Sequence, residues 1–254
     1  MILDSFKLDG KTALVTGAGQ GLGQGMALAL AEAGADIAGL DRGSSDQTAE
    51  AVRALGRRYH PVVCDLRAAS VAEFNETVAG VVAALGQLDI LVNNAGIIRR
   101  APAIEFSEAD WDDVLDINLK AAFFLSQASA RVMIQQGRGK IINIASMLSF
   151  QGGIIVPSYT AAKSGVAGIT RALANEWAQH GLNVNAIAPG YMATDNTAAL
   201  RANPERGPAI LARIPAARWG TPDDLKGAVV FLASAASDYM NGAIVPVDGG
   251  WLTR

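Results

Sequence analysis

The chain has 254 residues, half of them hydrophobic, with 18% charged and 27 glycines, a composition that excludes a disordered or fibrous protein. Lys and Arg total 21 against 24 Asp and Glu, so the net charge of -3 offers no broad basic surface for a nucleic-acid backbone. A length near 250 suits one α/β domain, and residues 1–254 are expected to form a single unit.

In chain order, the opening MILDSFKLDGK carries charges where a signal peptide needs an apolar stretch. No later run approaches the roughly 18 apolar residues of a membrane span. The expectation is a soluble, cytoplasmic protein without membrane contact. Short apolar or β-branched runs then alternate with longer Ala-rich segments, the rhythm of βαβ units. Strands are predicted at Thr12–Thr16, Asp36–Leu40, Pro61–Cys64, Ile90–Val92, Lys140–Ala145, Asn183–Ala188 and Ala243–Val247. Helices are predicted at Leu22–Glu32, Ser70–Leu85, Trp111–Gln136, Tyr159–Gln179 and Pro222–Ala233, most with a Gly near the C-terminal end. The predicted fold is α/β, a Rossmann-like doubly wound, seven-stranded parallel sheet with helices on both faces. Residues 1–140 would form the cofactor half and 141–254 the catalytic and substrate half. The irregular stretch 190–220 follows a strand at the ligand-binding edge of the sheet and is expected to act as a lid.

Cys64 is the only cysteine, which excludes an internal disulfide and a Cys-rich zinc site, and it is predicted as a buried strand residue. His60 and His180 stand beside a Pro and a Gly at predicted element ends, with no partner at ligand spacing, so no metal site is expected.

The run TGAGQGLG, Thr16 to Gly23, follows a strand and opens a helix. Glycines let the backbone turn tightly and approach a pyrophosphate, and the free N–H groups at the helix start attract its charge. A plain strand-to-helix turn would use similar residues. Asp41, eighteen residues past Gly23, is placed to accept hydrogen bonds from an adenosine ribose, which favours NAD over NADP. Its neighbour Arg42 could attract a 2′-phosphate, and a turn cap is the simpler role for Asp41.

Tyr159 and Lys163, four apart at a helix start, share a face, and Ser146 follows the strand KIINIA. An ammonium near a phenol favours the phenolate, so Lys163 would lower the Tyr159 pKa and ready it as acid or base. Ser146 could hydrogen-bond the reacting oxygen, and Asn118 could hold a water linking Lys163 to solvent. Alone, each of these residues more often serves a structural role.

Together, TGAGQGLG, Asp65, NNAG at Asn93–Gly96, Asn118, Ser146, Tyr159-x-x-x-Lys163 and Pro189-Gly190 resemble the short-chain dehydrogenase/reductase family across essentially the whole chain. The resemblance implies dinucleotide contacts from Gly17, Gln20, Gly21, Leu22 and Gly23 in the first turn. It adds Asp41, Asp65 and Leu66, then Asn93, Ala95 and Gly96, and finally Tyr159, Lys163, Pro189, Gly190, Met192 and Thr194. It also implies that Tyr159 is the general acid/base, Lys163 its helper on the nicotinamide ribose, Ser146 the orienter of the substrate carbonyl and Asn118 a support for proton relay. Homotetramers packed through the helices from Trp111 and Tyr159 and the last strand follow from the resemblance alone.

The stretches NNAGIIRR, KIINIASMLSFQGG, VPSYTAAKSGV and APGYMATDNT resemble the family's sugar-acid dehydrogenases of pectin and uronate breakdown, with gluconate 5-dehydrogenases next. The implied partner is a keto or hydroxy sugar acid. Arg99 and Arg100 support this independently, since a guanidinium beside the NNAG turn can clamp a carboxylate; Arg100 is favoured, and solvated loop charges are the plain alternative. Gln151 and Met147 are further pocket candidates, Met147 also suiting simple packing. A 3-oxoacyl carrier-protein reductase, a bulky-ketone reductase or a non-catalytic dinucleotide sensor would share much of this sequence.

Overall fold

Five consecutive buried residues, TALVT, form the first strand, β1 (Thr12–Thr16), and such unbroken burial requires cover on both faces. The computed structural model describes residues 1–254 and supplies that cover. After β1 come α1 (Gly21–Glu32), β2 (Asp36–Asp41), α2 (Asp46–Ala54), β3 (Tyr59–Val63), α3 (Val71–Leu85) and β4 (Ile90–Asn93). Then follow α4 (Glu108–Leu115), α5 (Ala121–Gln136), β5 (Gly139–Ile144), α6 (Pro157–Trp177) and β6 (Leu182–Pro189). The chain closes with α7 (Ala198–Ala202), α8 (Arg206–Arg213), α9 (Lys226–Ala233) and β7 (Ile244–Val247).

The seven strands pair in parallel in the order β3-β2-β1-β4-β5-β6-β7, the doubly wound Rossmann topology. The pleat divides β1 between two cores. Ala13 and Val15 pack with Leu30 of α1 and Val229 of α9, while Leu14 packs with Phe74 of α3 and Leu125 of α5. Burying one such large side chain contributes about 1.5–3 kcal/mol, so this alternation fixes the register. Strand order reverses between β2 and β4 on either side of β1, which opens a crevice at their carboxyl ends.

Local signals set the element ends. Ser70 caps α3 in a reciprocal box with Glu73, whose carboxylate accepts from the Ser70 N–H at 2.7 Å, and Gly86 closes the helix at φ 93°. Ser107 caps α4 by accepting from Asp110 N–H at 3.2 Å, so this helix begins three residues before the predicted start at Trp111. The predicted single helix Trp111–Gln136 is divided by a π turn at Asp116–Lys120, an inserted bulge that leaves hydrophobic periodicity almost unchanged.

Other expectations need correction. The polar segment Asp46–Ala54, not among the predicted helices, is a helix, and residues 190–220 contain α7 and α8 rather than irregular chain alone. Cys64 lies just past β3 and is half-buried, not a buried strand residue. His60 sits inside the edge strand β3, where Pro61 is tolerated because one side of the strand has no partner. No helix is long and apolar enough to cross a membrane, and no three metal-ligating side chains cluster.

Candidate active site

The crevice beyond β1 holds a cleft of about 460 Å³, within the range of cofactor and ligand pockets. Its floor is the glycine turn. Gly17 adopts φ 67° and Gly21 φ 59°, and a Cβ on Gly23 would lie 2.0 Å from the Gly17 carbonyl oxygen, so the chain approaches itself as only glycine permits. No side chain caps α1, which leaves its first-turn N–H groups and positive dipole end available to an anion. Gln20, Gly21 and Leu22 line the cleft here. Thr16 Oγ1 accepts from the N–H groups of Asn94 (3.0 Å) and Ala95 (2.9 Å), fastening the NNAG loop beside this turn.

Ser146 stands beyond the end of β5, and Tyr159 and Lys163 face the same cleft from the first turns of α6, which Pro157 starts. Ser149 braces this corner: its Oγ accepts from the Ser146 N–H at 3.3 Å and donates to the Lys163 carbonyl at 2.6 Å. Lys163 is 3% exposed, and its ammonium donates to the Ile144 carbonyl at 2.6 Å while lying 5.6 Å from the Tyr159 ring centroid. Burial pulls Lys163 down to about 8. Burial likewise pushes the Tyr159 phenol up, opposed by the Ser146 hydroxyl and then by the positive charge of Arg100. In this state the phenol is therefore raised, where the sequence led us to expect lowering by Lys163. The physical reason is that burial disfavours the phenolate, while Lys163 donates to the Ile144 carbonyl and not to the phenol.

This cradle, with a phenol, hydroxyl and ammonium converging at its far end, suits a dinucleotide reacting beside an alcohol or carbonyl. Residues 11–205 match the model of the short chain dehydrogenase family. The chain belongs to that family. It is 61% identical to the 2-dehydro-3-deoxy-D-gluconate 5-dehydrogenase of Escherichia coli, with 100% of each chain covered. Among solved structures, it is similar to a candidate 2-deoxy-D-gluconate 3-dehydrogenase from Agrobacterium tumefaciens with bound NADP (TM-score 0.91, 56% identity, 99% and 100% covered). It is also similar to a gluconate 5-dehydrogenase from Burkholderia cenocepacia in complex with NADP and tartrate (TM-score 0.95, 41% identity, 100% of both chains).

A short-chain dehydrogenase binds a nicotinamide dinucleotide, and the glycine cradle fits its pyrophosphate. Of the expected contacts, Gly17, Gly23, Asp41, Asp65, Leu66, Ala95, Gly96, Pro189 and Thr194 line the cleft with those already named. Asn93 does not. Its amide donates into the core, to Ala122 O, Ser126 Oγ and Asn143 Oδ1, and the cleft-facing residue is Asn94, one step along the chain. Gly190 and Met192 border a separate cavity of about 120 Å³, with Met192 buried, and Gln151 lies outside both. The Asp41 carboxylate already accepts from three backbone N–H groups, Gly19 (3.0 Å), Arg42 (2.7 Å) and Gly43 (3.3 Å), so it acts as a turn cap while facing the cleft.

Asn118 sits in the π turn, 2% exposed, and closes both hydrogen bonds on one residue: its Oδ1 accepts from Ile97 N–H at 2.8 Å and its Nδ2 donates to Ile97 O at 2.9 Å. Its amide thus ties α4 and α5 to the loop after NNAG. Arg99 turns away from the cleft to Asp110 (3.1 Å) and Asp113 (3.5 Å) of α4. Arg100 reaches into the cleft without a carboxylate partner, and its Nη2 donates to Asn196 O at 3.4 Å. Ile97, Ile117, Asn196 and Thr197 also line the cleft, and sequence reasoning missed them; their only signal was proximity to NNAG, Asn118 and Thr194.

Proposed function

We propose that the chain is an NAD(H)-dependent oxidoreductase interconverting a hydroxyl and a ketone on a sugar acid. The favoured reaction is that of a 2-dehydro-3-deoxy-D-gluconate 5-dehydrogenase, with gluconate 5-dehydrogenase second. The observation that carries this reading is Arg100, a guanidinium without a carboxylate partner in the same cleft as Tyr159, opposite in charge to a sugar acid. A neutral ketone or a thioester gives that charge nothing to bind. The names of the full-length relatives point the same way.

A nicotinamide dinucleotide held by Gly17, Gly21, Gly23 and Asp41 would supply the hydride acceptor in oxidation and the hydride donor in reduction. Tyr159 takes the hydroxyl proton in the first direction and gives it back in the second, so charge and protons balance. Ser146 orients the reacting oxygen by hydrogen bonding. Lys163, held by Ile144, supplies positive charge behind the phenol, and Asn118 sets the loop that carries Arg100. Thr194 and Thr197 help close the cleft against water.

Asp41 supports NAD, since its carboxylate at the end of β2 opposes a 2′-phosphate. Arg42 on the same rim and the NADP held by the solved relatives favour NADP as the second choice. On the same reading the protein works in the cytoplasm as a homotetramer packed through α4–α5, α6 and β7, and the exposed apolar surface of Trp111 and Ile134 supports such packing.

The test is Tyr159→Phe. Turnover is expected to fall about 10²-fold or more while dinucleotide binding, read by fluorescence, persists; near-normal turnover would remove Tyr159 from its role.

A further inference from the structure

Between Ser146 and Tyr159 the backbone makes one costly choice. Ile155 sits at φ 59°, in the left-handed region that β-branched residues avoid because Cβ crowds the carbonyl. Ala217 is the only other non-glycine residue at positive φ. Gly152 and Gly153 stand just upstream, yet neither carries the left-handed turn. Strain of this kind persists only where the surroundings over-determine it. Here the next residue, Val156, is 6% exposed and accepts from Thr160 N–H at 3.0 Å at the start of α6. The Ile155 carbonyl in turn accepts from the Ala101 N–H at 3.1 Å, the one backbone bond joining this loop to the segment after NNAG.

Ala101 directly follows Arg100. The left-handed turn therefore aims a carbonyl at the backbone that carries the cleft's unpaired guanidinium, while Asn196 holds the guanidinium from the lid side at 3.4 Å. We propose that Ile155 is a positioning residue: its left-handed backbone, through the Ile155–Ala101 hydrogen bond, fixes Arg100 where it meets the substrate carboxylate and so sets specificity for acids. The proposal rests on the reading of Arg100 as a carboxylate clamp. It explains why the strain lies in the loop linking the two reacting side chains and is tied to the one segment that presents a cation to them.

The experiment compares KM and kcat for 2,5-diketo-3-deoxygluconate and its methyl ester, with NADH, in Ile155→Pro, Arg100→Ala and the double variant. Proline fixes φ at about −65° and so removes the left-handed turn; the KM for the acid is expected to rise about tenfold, the equivalent of 1.4 kcal/mol, with kcat and the ester's KM little changed. In the Arg100→Ala background, Ile155→Pro should add nothing further, because both changes act through one guanidinium. Ile155→Gly and Ile155→Asn, which tolerate the left-handed region, should keep the acid's KM near that of the parent and test the backbone role even if the proline variant unfolds. Equal effects on acid and ester, additive effects in the double variant, or a raised acid KM in the glycine and asparagine variants would overturn the proposal while leaving the clamp intact. If Arg100→Ala does not weaken the acid selectively, the clamp falls and the proposal with it.

Discussion

The Lys163 ammonium donates to the Ile144 carbonyl across 2.6 Å, joining the helix that bears Tyr159 to the strand that precedes Ser146. This bond holds an amine 3% exposed to solvent and keeps its charge within reach of the phenol without a direct ion pair. The acid–base chemistry then belongs to the phenol, with the ammonium as the positive charge behind it.

Burial lowers Lys163 to about 8, so its charged form prevails below that pH and is lost above it, while the phenol, raised by burial, keeps its own proton to higher pH. The positive charge behind the phenol should therefore be lost near pH 8. In reduction, which leaves Tyr159 as a phenolate needing that charge, kcat/KM should fall through an apparent pKa of about 8; in oxidation, where Tyr159 must start as phenolate, kcat/KM should rise only at higher pH. Lys163→Met should abolish the limb seen in reduction. Profiles flat from about pH 7 to 9.5 in both directions would count against the pairing.

Gly23→Ala should separate packing from propensity. The new Cβ would meet the Gly17 carbonyl at 2.0 Å and Asn94 Nδ2 at 2.5 Å, so overpacking should cost about 1–3 kcal/mol and dinucleotide affinity should fall about tenfold or more. Gly80→Ala, on an α3 face where nothing lies within 4 Å, should instead be neutral or stabilise by about 0.4–1 kcal/mol. Titration with dinucleotide and thermal melts of both variants check the contrast.

Arg99 and Arg100 are adjacent but do different work. Arg100→Ala should weaken acid substrates by about 1.5–3 kcal/mol, the range for a hydrogen bond to a charged group, with neutral ketones little affected. Arg99→Ala should leave KM unchanged and cost at most about 1 kcal/mol of stability, because its pairs with Asp110 and Asp113 are half-exposed. A reversed pattern in steady-state kinetics would exchange their roles.

Much of this was legible in the sequence because it depends on steric and periodic constraints. Five of the predicted features, the glycine turn, Asp41, Ser146, Tyr159 and Lys163, do meet in one cleft. What sequence could not show was direction. Asn93 and Asn94 are identical side chains at a strand end, and only the pleat and the acceptors on β5 and α5, Asn143 Oδ1 and Ser126 Oγ, decide that the first points inward. The same holds for Arg99 and Arg100, sorted by the acidic face of α4. Asn118 was visible as a polar residue in a helix, but its clamp on Ile97 depends on a π turn without a sequence signature. The short helix α2 was hidden by its polarity, and the burial of Met192 by its pairing with Gly220, 28 residues on in the sequence.

Removing the Asn118 clamp tests that role. Asn118→Ala would leave the Ile97 N–H and carbonyl without their side-chain partner, and unfolding free energy should drop by about 1–3 kcal/mol. Acid substrates should also bind less well, since Arg100 hangs on the same loop. Chemical denaturation at neutral pH reads the first effect, and unchanged stability would show that the clamp carries nothing.

The most direct measurement follows absorbance at the reduced-nicotinamide band with NADH and then NADPH. The substrates are 2,5-diketo-3-deoxygluconate, 5-ketogluconate, an acetoacetyl thioester and a neutral ketone. Fastest turnover of the first with NADH is the expected result and would join Arg100, Asp41 and Tyr159 in one account. Preference for the thioester with NADPH would contradict it, removing the sugar acid and the part given to Asp41 while leaving the fold and the Ser146, Tyr159 and Lys163 machinery in place.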